Sequence, residues 1–196
     1  MTDLERRLTF LTEIDKMKCI YRKNIVIDRS RNEDDASHSW HMAMCALVLA
    51  DYAPRKIDML TVLKMCLVHD LVEIYAGDTY CYDAAAHADK EERERKAADK
   101  LFAMLPEPQG SEFRTLWEKF DALEGEEACY AAAIDRLQPF LLNYNTEGHT
   151  WQFAKVTRPM LEKRLAPVKD ALPAVWDQLE AMIRVCLENG WLYSDN

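Results

Sequence analysis

The strongest constraint on this chain is an apolar rhythm with a period near 3.6 residues, present in nearly every long segment. Punctuation is sparse, with five Gly and seven Pro in 196 residues, and there is no strong strand signal, internal repeat or low-complexity tract. The pattern predicts an all-α protein, a single helical bundle over residues 1–196. An apolar share of 49% and a charged share of 30% suit one folded domain of that length.

The spacing predicts a first helix from Asp3 to Lys18, with Leu4, Leu8, Leu11 and Ile14 on one side. Asn24 to Ala36 is irregular and ends in Glu33-Asp34-Asp35, which reads as a loop feeding a helix start. Helices follow over 37–52 and 58–75, both apolar on nearly all sides and so placed centrally. Gly77 is the stop after the second. A charged helix over 89–105 carries Glu91–Arg95 and Glu92–Lys96 at i,i+4 spacing, which suits a solvated face. Further helices are predicted over 111–123, 126–143, 150–165 and 173–188.

Several classes of function are disfavoured. The longest apolar stretch, Met42 to Ala50, is too short to span a bilayer, and Met1 to Arg7 does not read as a signal peptide, so the expected location is the cytoplasm. The six cysteines are scattered with no Cys-x-x-Cys pair, and four of them sit in apolar stretches as small hydrophobes. A formal charge of −9 argues against binding long nucleic acid. A small phosphate ester needs only one or two cations and a metal. Arg22, Lys23, Arg29 and Arg31 form the one basic cluster suited to that.

The decisive feature is His69-Asp70 inside an apolar helix, Lys64-Met-Cys-Leu-Val-His-Asp-Leu-Val-Glu-Ile. Adjacent helical residues lie about 100° apart, so both side chains can reach one object. Glu73 falls on the same face. Buried imidazole and carboxylate groups need compensation, either from a divalent cation or from ordinary hydrogen bonding to an Arg or the backbone.

Two more positions favour the cation. Asp135 lies in Ala131-Ala-Ala-Ile-Asp-Arg-Leu-Gln-Pro, another apolar helix, where Arg136 is expected to point elsewhere and Pro139 to kink the turn. His38-Ser-Trp-His41 opens the helix before the doublet, with either histidine able to face the same pocket. Nitrogen and oxygen ligands from three helices suit Mn²⁺, Co²⁺, Fe²⁺, Ni²⁺ or Zn²⁺, and Mg²⁺ less comfortably.

The stretches Asp15-Lys-Met-Lys-Cys-Ile-Tyr-Arg, Ser37-His-Ser-Trp-His, Val68-His-Asp-Leu-Val-Glu-Ile-Tyr-Ala-Gly-Asp-Thr and Ile134-Asp-Arg-Leu-Gln-Pro together resemble the HD-domain phosphohydrolase superfamily, most closely its 5′-deoxynucleotidase-like subgroup. The resemblance implies metal ligands at His38, His69, Asp70 and Asp135, with His41 outside the ligand set. It also implies catalytic acids at Glu73 and Asp78 and a phosphate-gripping arginine at Arg22. The implied reaction removes the 5′-phosphate of (deoxy)nucleoside monophosphates by attack of a metal-bound water, one acid serving the water and the other the leaving oxygen. Ser37 stands where relatives often carry an acidic residue, so a contact supporting the first histidine is expected to be missing. Lys23 stands where some relatives have an aromatic near the sugar, which bears on base and sugar preference.

Rival readings are an HD hydrolase of another phosphoester (nucleoside triphosphate, alarmone or cyclic dinucleotide) and a non-catalytic metal- or nucleotide-binding module. Retention of Glu73, Asp78 and Arg22 beside the four ligands argues against the second. His87 and His149 are expected at the surface. A homodimer is possible, as relatives are commonly dimers, and Trp176, Trp191 and Tyr193 either join such an interface or cap the core.

Overall fold

A computed structural model of the protein describes residues 1–83 and 86–193. Thr2 and Glu5 form a reciprocal capping box that starts α1 (Asp3–Glu13). The chain then tightens into a 3₁₀ turn over Ile14–Cys19, so the predicted first helix ends in a different form. Two short strands follow, β1 (Tyr21–Ile25) and β2 (Asn32–Asp34), paired antiparallel with Tyr21 opposite Asp34 and Ile25 opposite Asn32. These strands were not expected. Five and three residues are too few to set a period-2 pattern apart from loop, and tertiary context decides such short segments. The Asp35 amide donates to Ile20 O (3.1 Å), which pins the hairpin to the helix that follows.

That helix, α2 (Asp35–Val48), is capped by Asp34, whose side chain accepts from the Ser37 amide at 2.8 Å. α3 (Met59–Val68) is capped by Asp58. It does not run on to Tyr75 as its apolar pattern implies. Residues 69–72 form turns with Leu71 N–H bonded to Val68 O and Glu73 N–H to Asp70 O, each three residues back, before α4 (Glu73–Ala76). Gly77 ends α4 at φ +79°, as expected of a residue free of a Cβ penalty.

The charged helix is α5 (Lys90–Phe102). Glu92 and Lys96 pair at 2.5 Å on its outer face, while Ala97, Ala98, Leu101 and Phe102 are buried. α6 (Gln109–Asp121) precedes α7 (Glu126–Asn145), the axis of the bundle. Ala128, Ala131, Ala132, Ala133 and Ile134 are wholly buried there, and their small side chains let α2, α3, α6 and α9 close in. The helix continues through Pro139 to Asn145. The predicted segment 150–165 divides into α8 (Trp151–Ala154) and α9 (Arg158–Ala171), separated by Lys155 in a left-handed conformation. α10 (Pro173–Glu188) closes the bundle and buries Trp176 in the main core, whereas Tyr193 is exposed.

The core has two parts. The larger surrounds α7; the smaller joins Phe10, Met17, Leu101 and Phe102 with Val68, Leu71 and Val72. Met65 and Cys66 belong to the first and Val68, Leu71 and Val72 to the second, so the chain passes from one to the other just before His69-Asp70. All six cysteines are free, and no helix among the described residues is long and apolar enough to cross a membrane.

Candidate metal centre and acid cluster

Three elements bring the predicted ligands together: α2 carries His38, the turn after α3 carries His69 and Asp70, and α7 carries Asp135. His38, His69 and Asp135 are buried, each offering an atom within 4.8 Å of the others. His38 Nε2 lies 3.0 Å from Asp135 Oδ1, and His69 Nε2 lies 3.6 Å from the same oxygen. Asp70 flanks this set, with Oδ2 at 3.1 Å from His69 Nε2 and 3.7 Å from His38 Nε2.

The second nitrogen of each imidazole fixes which atom faces the centre. His69 Nδ1 donates to Cys66 O at 3.0 Å. His38 Nδ1 donates to Gln138 Oε1 at 2.8 Å; the amide orientation follows from Gln138 Nε2, which donates to Glu33 Oε1 at 2.7 Å. Both rings therefore carry Nδ1–H and turn an Nε2 lone pair toward the carboxylates when neutral. His69 Nε2 is buried with no aligned hydrogen-bond partner among the described residues, although two carboxylate oxygens are close. Two lone pairs and two carboxylates converging on one point fit a divalent cation, and His38, His69, Asp70 and Asp135 are the groups that would hold it.

Charge within the cluster is strongly coupled. Burial opposes ionisation of Asp70, but His69 and Arg22 outweigh it and hold the carboxyl far below its usual range. Burial likewise opposes Asp135, and Arg136 with the two histidines reverses the outcome. Burial lowers the proton affinity of His69, yet Asp70 and Asp135 raise its pKa to about 10. A cation between them would replace that proton.

Beside this centre lies a second group, Asp35, Glu73 and Asp78, again with atoms within 4.8 Å of one another. The tight turn places Glu73 three residues after Asp70, where 3₁₀ geometry stacks side chains on one side. Burial, with Asp70 and Asp35 nearby, pushes the Glu73 carboxyl well above its ordinary value. Burial and Asp70 push Asp35 up to about 7, against the pull of Arg22. Asp78 is also raised, chiefly by burial. All three carboxyls thus hold their protons to higher pH than ordinary carboxyls do.

Arg22, on β1, reaches Asp70 Oδ2 at 2.9 Å and Asp35 Oδ1 at 3.4 Å, and so bridges the two groups. It lines one cavity with His69, Asp70, Glu73, Asp78 and Asp135. Every position implied by the resemblance is therefore gathered at one place. His41 touches Gln138 Nε2 through Nδ1 (3.0 Å) rather than the centre, and His87 is exposed.

One expectation is overturned. Arg136 does not point away from Asp135; its Nη1 lies 2.6 Å from Oδ2. The angle between neighbouring Cβ directions is large, but the long arginine stem curls back across it. The sequence reading also left out Glu33, Asp35, Gln138 and Arg164. Asp35 precedes His38 by three residues and Gln138 follows Asp135 by three, so helical spacing from a predicted ligand was the available signal.

Gln138 offers a test of the imidazole geometry. Gln138→Leu leaves the His38 Nδ1–H and the Glu33 carboxylate without their shared partner. Metal affinity is expected to fall about 10–100-fold, the usual effect of losing a ligand-orienting group. Titration of the metal-stripped variant with Mn²⁺, read calorimetrically, checks this; wild-type affinity would show that His38 needs no such support.

A helical bundle with one short hairpin and a paired histidine–aspartate centre defines an HD-type fold. A family model described as HD domain matches residues 14–176, and the chain belongs to that family. Its relatives include the 5′-deoxynucleotidase HDDC2 of Mus musculus, 27% identical over 68% of this chain and 66% of that protein. The HDDC2 of Danio rerio is 26% identical over 74% and 71%. The match thus spans about two thirds of those relatives' own length. The fold is also that of a crystal structure described as a predicted metal-dependent phosphohydrolase from Magnetospirillum magnetotacticum. That similarity has a TM-score of 0.93 and 43% identity, covering 97% of this chain and 96% of the other. A conserved hypothetical protein from Pyrococcus furiosus, 22% identical over 92% of this chain and 99% of its own, shares the fold with a TM-score of 0.63.

Proposed function

We propose that this protein is a metal-dependent phosphomonoesterase that removes the 5′-phosphate of (deoxy)nucleoside monophosphates. The observation that carries this reading is the convergence of His38, His69 and Asp135, with Asp70 beside both imidazoles, Arg22 on one flank and raised-pKa carboxyls next to it. The nucleotide enters from the relatives named 5′-deoxynucleotidase.

In this reading His38, His69, Asp70 and Asp135 hold one divalent ion, which supplies polarisation of a phosphoryl oxygen and a lowered pKa for coordinated water. Two imidazoles and two carboxylates favour Mn²⁺, Co²⁺, Fe²⁺, Ni²⁺ or Zn²⁺ over Mg²⁺. Arg22 grips the phosphate with its planar fork. Glu73 and Asp78 divide the proton work: one accepts a proton from the attacking water, and the other donates one to the leaving 5′-oxygen.

The test is phosphate release from a panel of 5′-ribo- and deoxyribonucleotides, with metal-stripped protein resupplied with each ion in turn. Metal-dependent release from monophosphates is expected. Release only from triphosphates or cyclic dinucleotides, or none at all, would overturn the assignment.

The same reading places the protein in the cytoplasm, in keeping with its six free cysteines. It also takes the working form to be a homodimer. Trp176 is buried and unavailable for that contact, but α2 exposes Trp40, Met44, Leu47 and Val48 at i, i+4, i+7 and i+8. Covering this stripe with a second copy would remove a continuous apolar face from water. Light scattering at micromolar concentration should report twice the chain mass, and Trp40→Glu should return it to one.

A further inference from the structure

The mechanism above uses one oxygen of Asp135 and leaves the other side of that residue unexplained. Oδ1 faces His38 and His69, while Oδ2 faces outward to two guanidinium groups. Arg136 brings Nη1 to 2.6 Å of Oδ2, and Arg164, from α9, brings Nη2 to 3.6 Å of the same oxygen. Their side chains retain only 19% and 31% of full exposure, and both line the cavity that holds Arg22, His69 and Asp70.

Two guanidinium groups share one carboxylate oxygen in a confined recess, where an added anion would be attracted by both charges at once. That attraction strengthens if Asp135 also serves a cation through Oδ1. Like charges this close are kept where an anion is to be bound, and the fork of arginine matches phosphate oxygens. The position fits as well. Arg22 stands on the Asp70 side of the centre, and the Arg136–Arg164 pair stands on the Asp135 side.

We propose that Arg136 and Arg164 form the second jaw of a phosphate clamp, opposite Arg22, that holds the dianionic phosphate group of the substrate and of the released product. The proposal rests on the phosphomonoesterase reading and adds two residues to its binding site. Arg136 also braces Asp135 directly, so Arg164 is the cleaner residue to change.

The decisive experiment measures inorganic phosphate binding to the Mn²⁺-loaded protein by calorimetry, and separately measures Mn²⁺ binding to the stripped protein. Arg164→Gln is expected to weaken phosphate binding about tenfold while leaving Mn²⁺ affinity at or slightly above the wild-type value, because a repelling charge has gone. Arg164→Lys should recover part of the loss, since it keeps the charge without the fork. In turnover assays Arg164→Gln should raise KM and the inhibition constant of phosphate together, for every base.

Unchanged phosphate affinity in Arg164→Gln would overturn the clamp and leave the nucleotidase reading intact. A KM increase confined to certain bases, with phosphate binding unaffected, would also overturn it, since the pair would then contact the base. A wild-type protein that binds no phosphate would overturn it outright. Tight, Arg164-dependent phosphate binding without release from any nucleotide would instead support the clamp and reject the nucleotidase reading.

Discussion

Replacing His69 with Ala should abolish both metal retention and phosphate release, the largest effect expected of any single change in this protein. His69 contributes an Nε2 that faces Asp70 and Asp135 within 3.6 Å, and its Nδ1–H is committed to Cys66 O. Without the ring, Asp70 loses the group that does most to hold it ionised, and the site keeps one imidazole. Activity should drop by at least about 10³-fold, in line with losing stabilisation that acts where charge develops. His69 also packs against Phe120, with ring centroids 4.8 Å apart, so the Ala variant leaves a void. His69→Gln fills more of that space and separates the two effects. Elemental analysis after dialysis gives metal content, and circular dichroism reports whether the helices remain. Full metal occupancy in a folded His69→Gln protein would remove His69 from the ligand set.

A related consequence concerns the wild-type protein. A ligand that binds only the folded state stabilises by about 2.7 kcal/mol at a hundredfold excess over its Kd. For a chain of this size, each kcal/mol moves Tm by about 2–4 °C. Stripping the metal should therefore lower Tm by roughly 5–10 °C, and restoring Mn²⁺ should reverse the change in a calorimetric scan.

The centre was readable in the sequence because its residues violate their surroundings. An imidazole and a carboxylate in Lys64 to Ile74, and a carboxylate after three alanines in Ala131 to Pro139, stand out against apolar helices. The same contrast exposed Glu73. The supporting residues offered no such contrast. Glu33 and Asp35 lie in a polar stretch that reads as loop, yet both are almost completely buried, because the hairpin folds that stretch onto α2. Gln138 looks ordinary beside a proline, and its role appears only when α7 meets α2. Arg164 comes from a helix whose predicted end fell at Leu165, six residues before the observed one. The break after Val68 was hidden for a different reason. Its apolar pattern continues through Val72, and Val68, Leu71 and Val72 on both sides of the tightened turn stay buried in the smaller core, so burial alone does not mark the change of helix form.

Glu73 gives the second large effect, and the one that separates binding from chemistry. Its carboxyl is buried and raised well above the ordinary value, and Oε2 has no hydrogen-bond partner among the described residues. Such a group is poised to exchange a proton with a substrate or water in the cavity. Glu73→Gln keeps the shape and removes the titrating proton, so turnover should fall about 10²–10⁴-fold, the range typical of a general acid or base. Metal content should stay at the wild-type level, because none of the four proposed ligands is altered. The pH profile adds an independent sign. A raised pKa makes the Glu73 proton available up to higher pH than for an ordinary carboxyl, and a limb due to this group should disappear in the Gln variant. If Glu73→Gln instead loses metal in step with activity, the residue belongs with the ligands, and the proton work falls to Asp78 and Asp35. Asp35, with a pKa near 7 and 3.4 Å from Arg22, is then the group whose substitution should erase the limb.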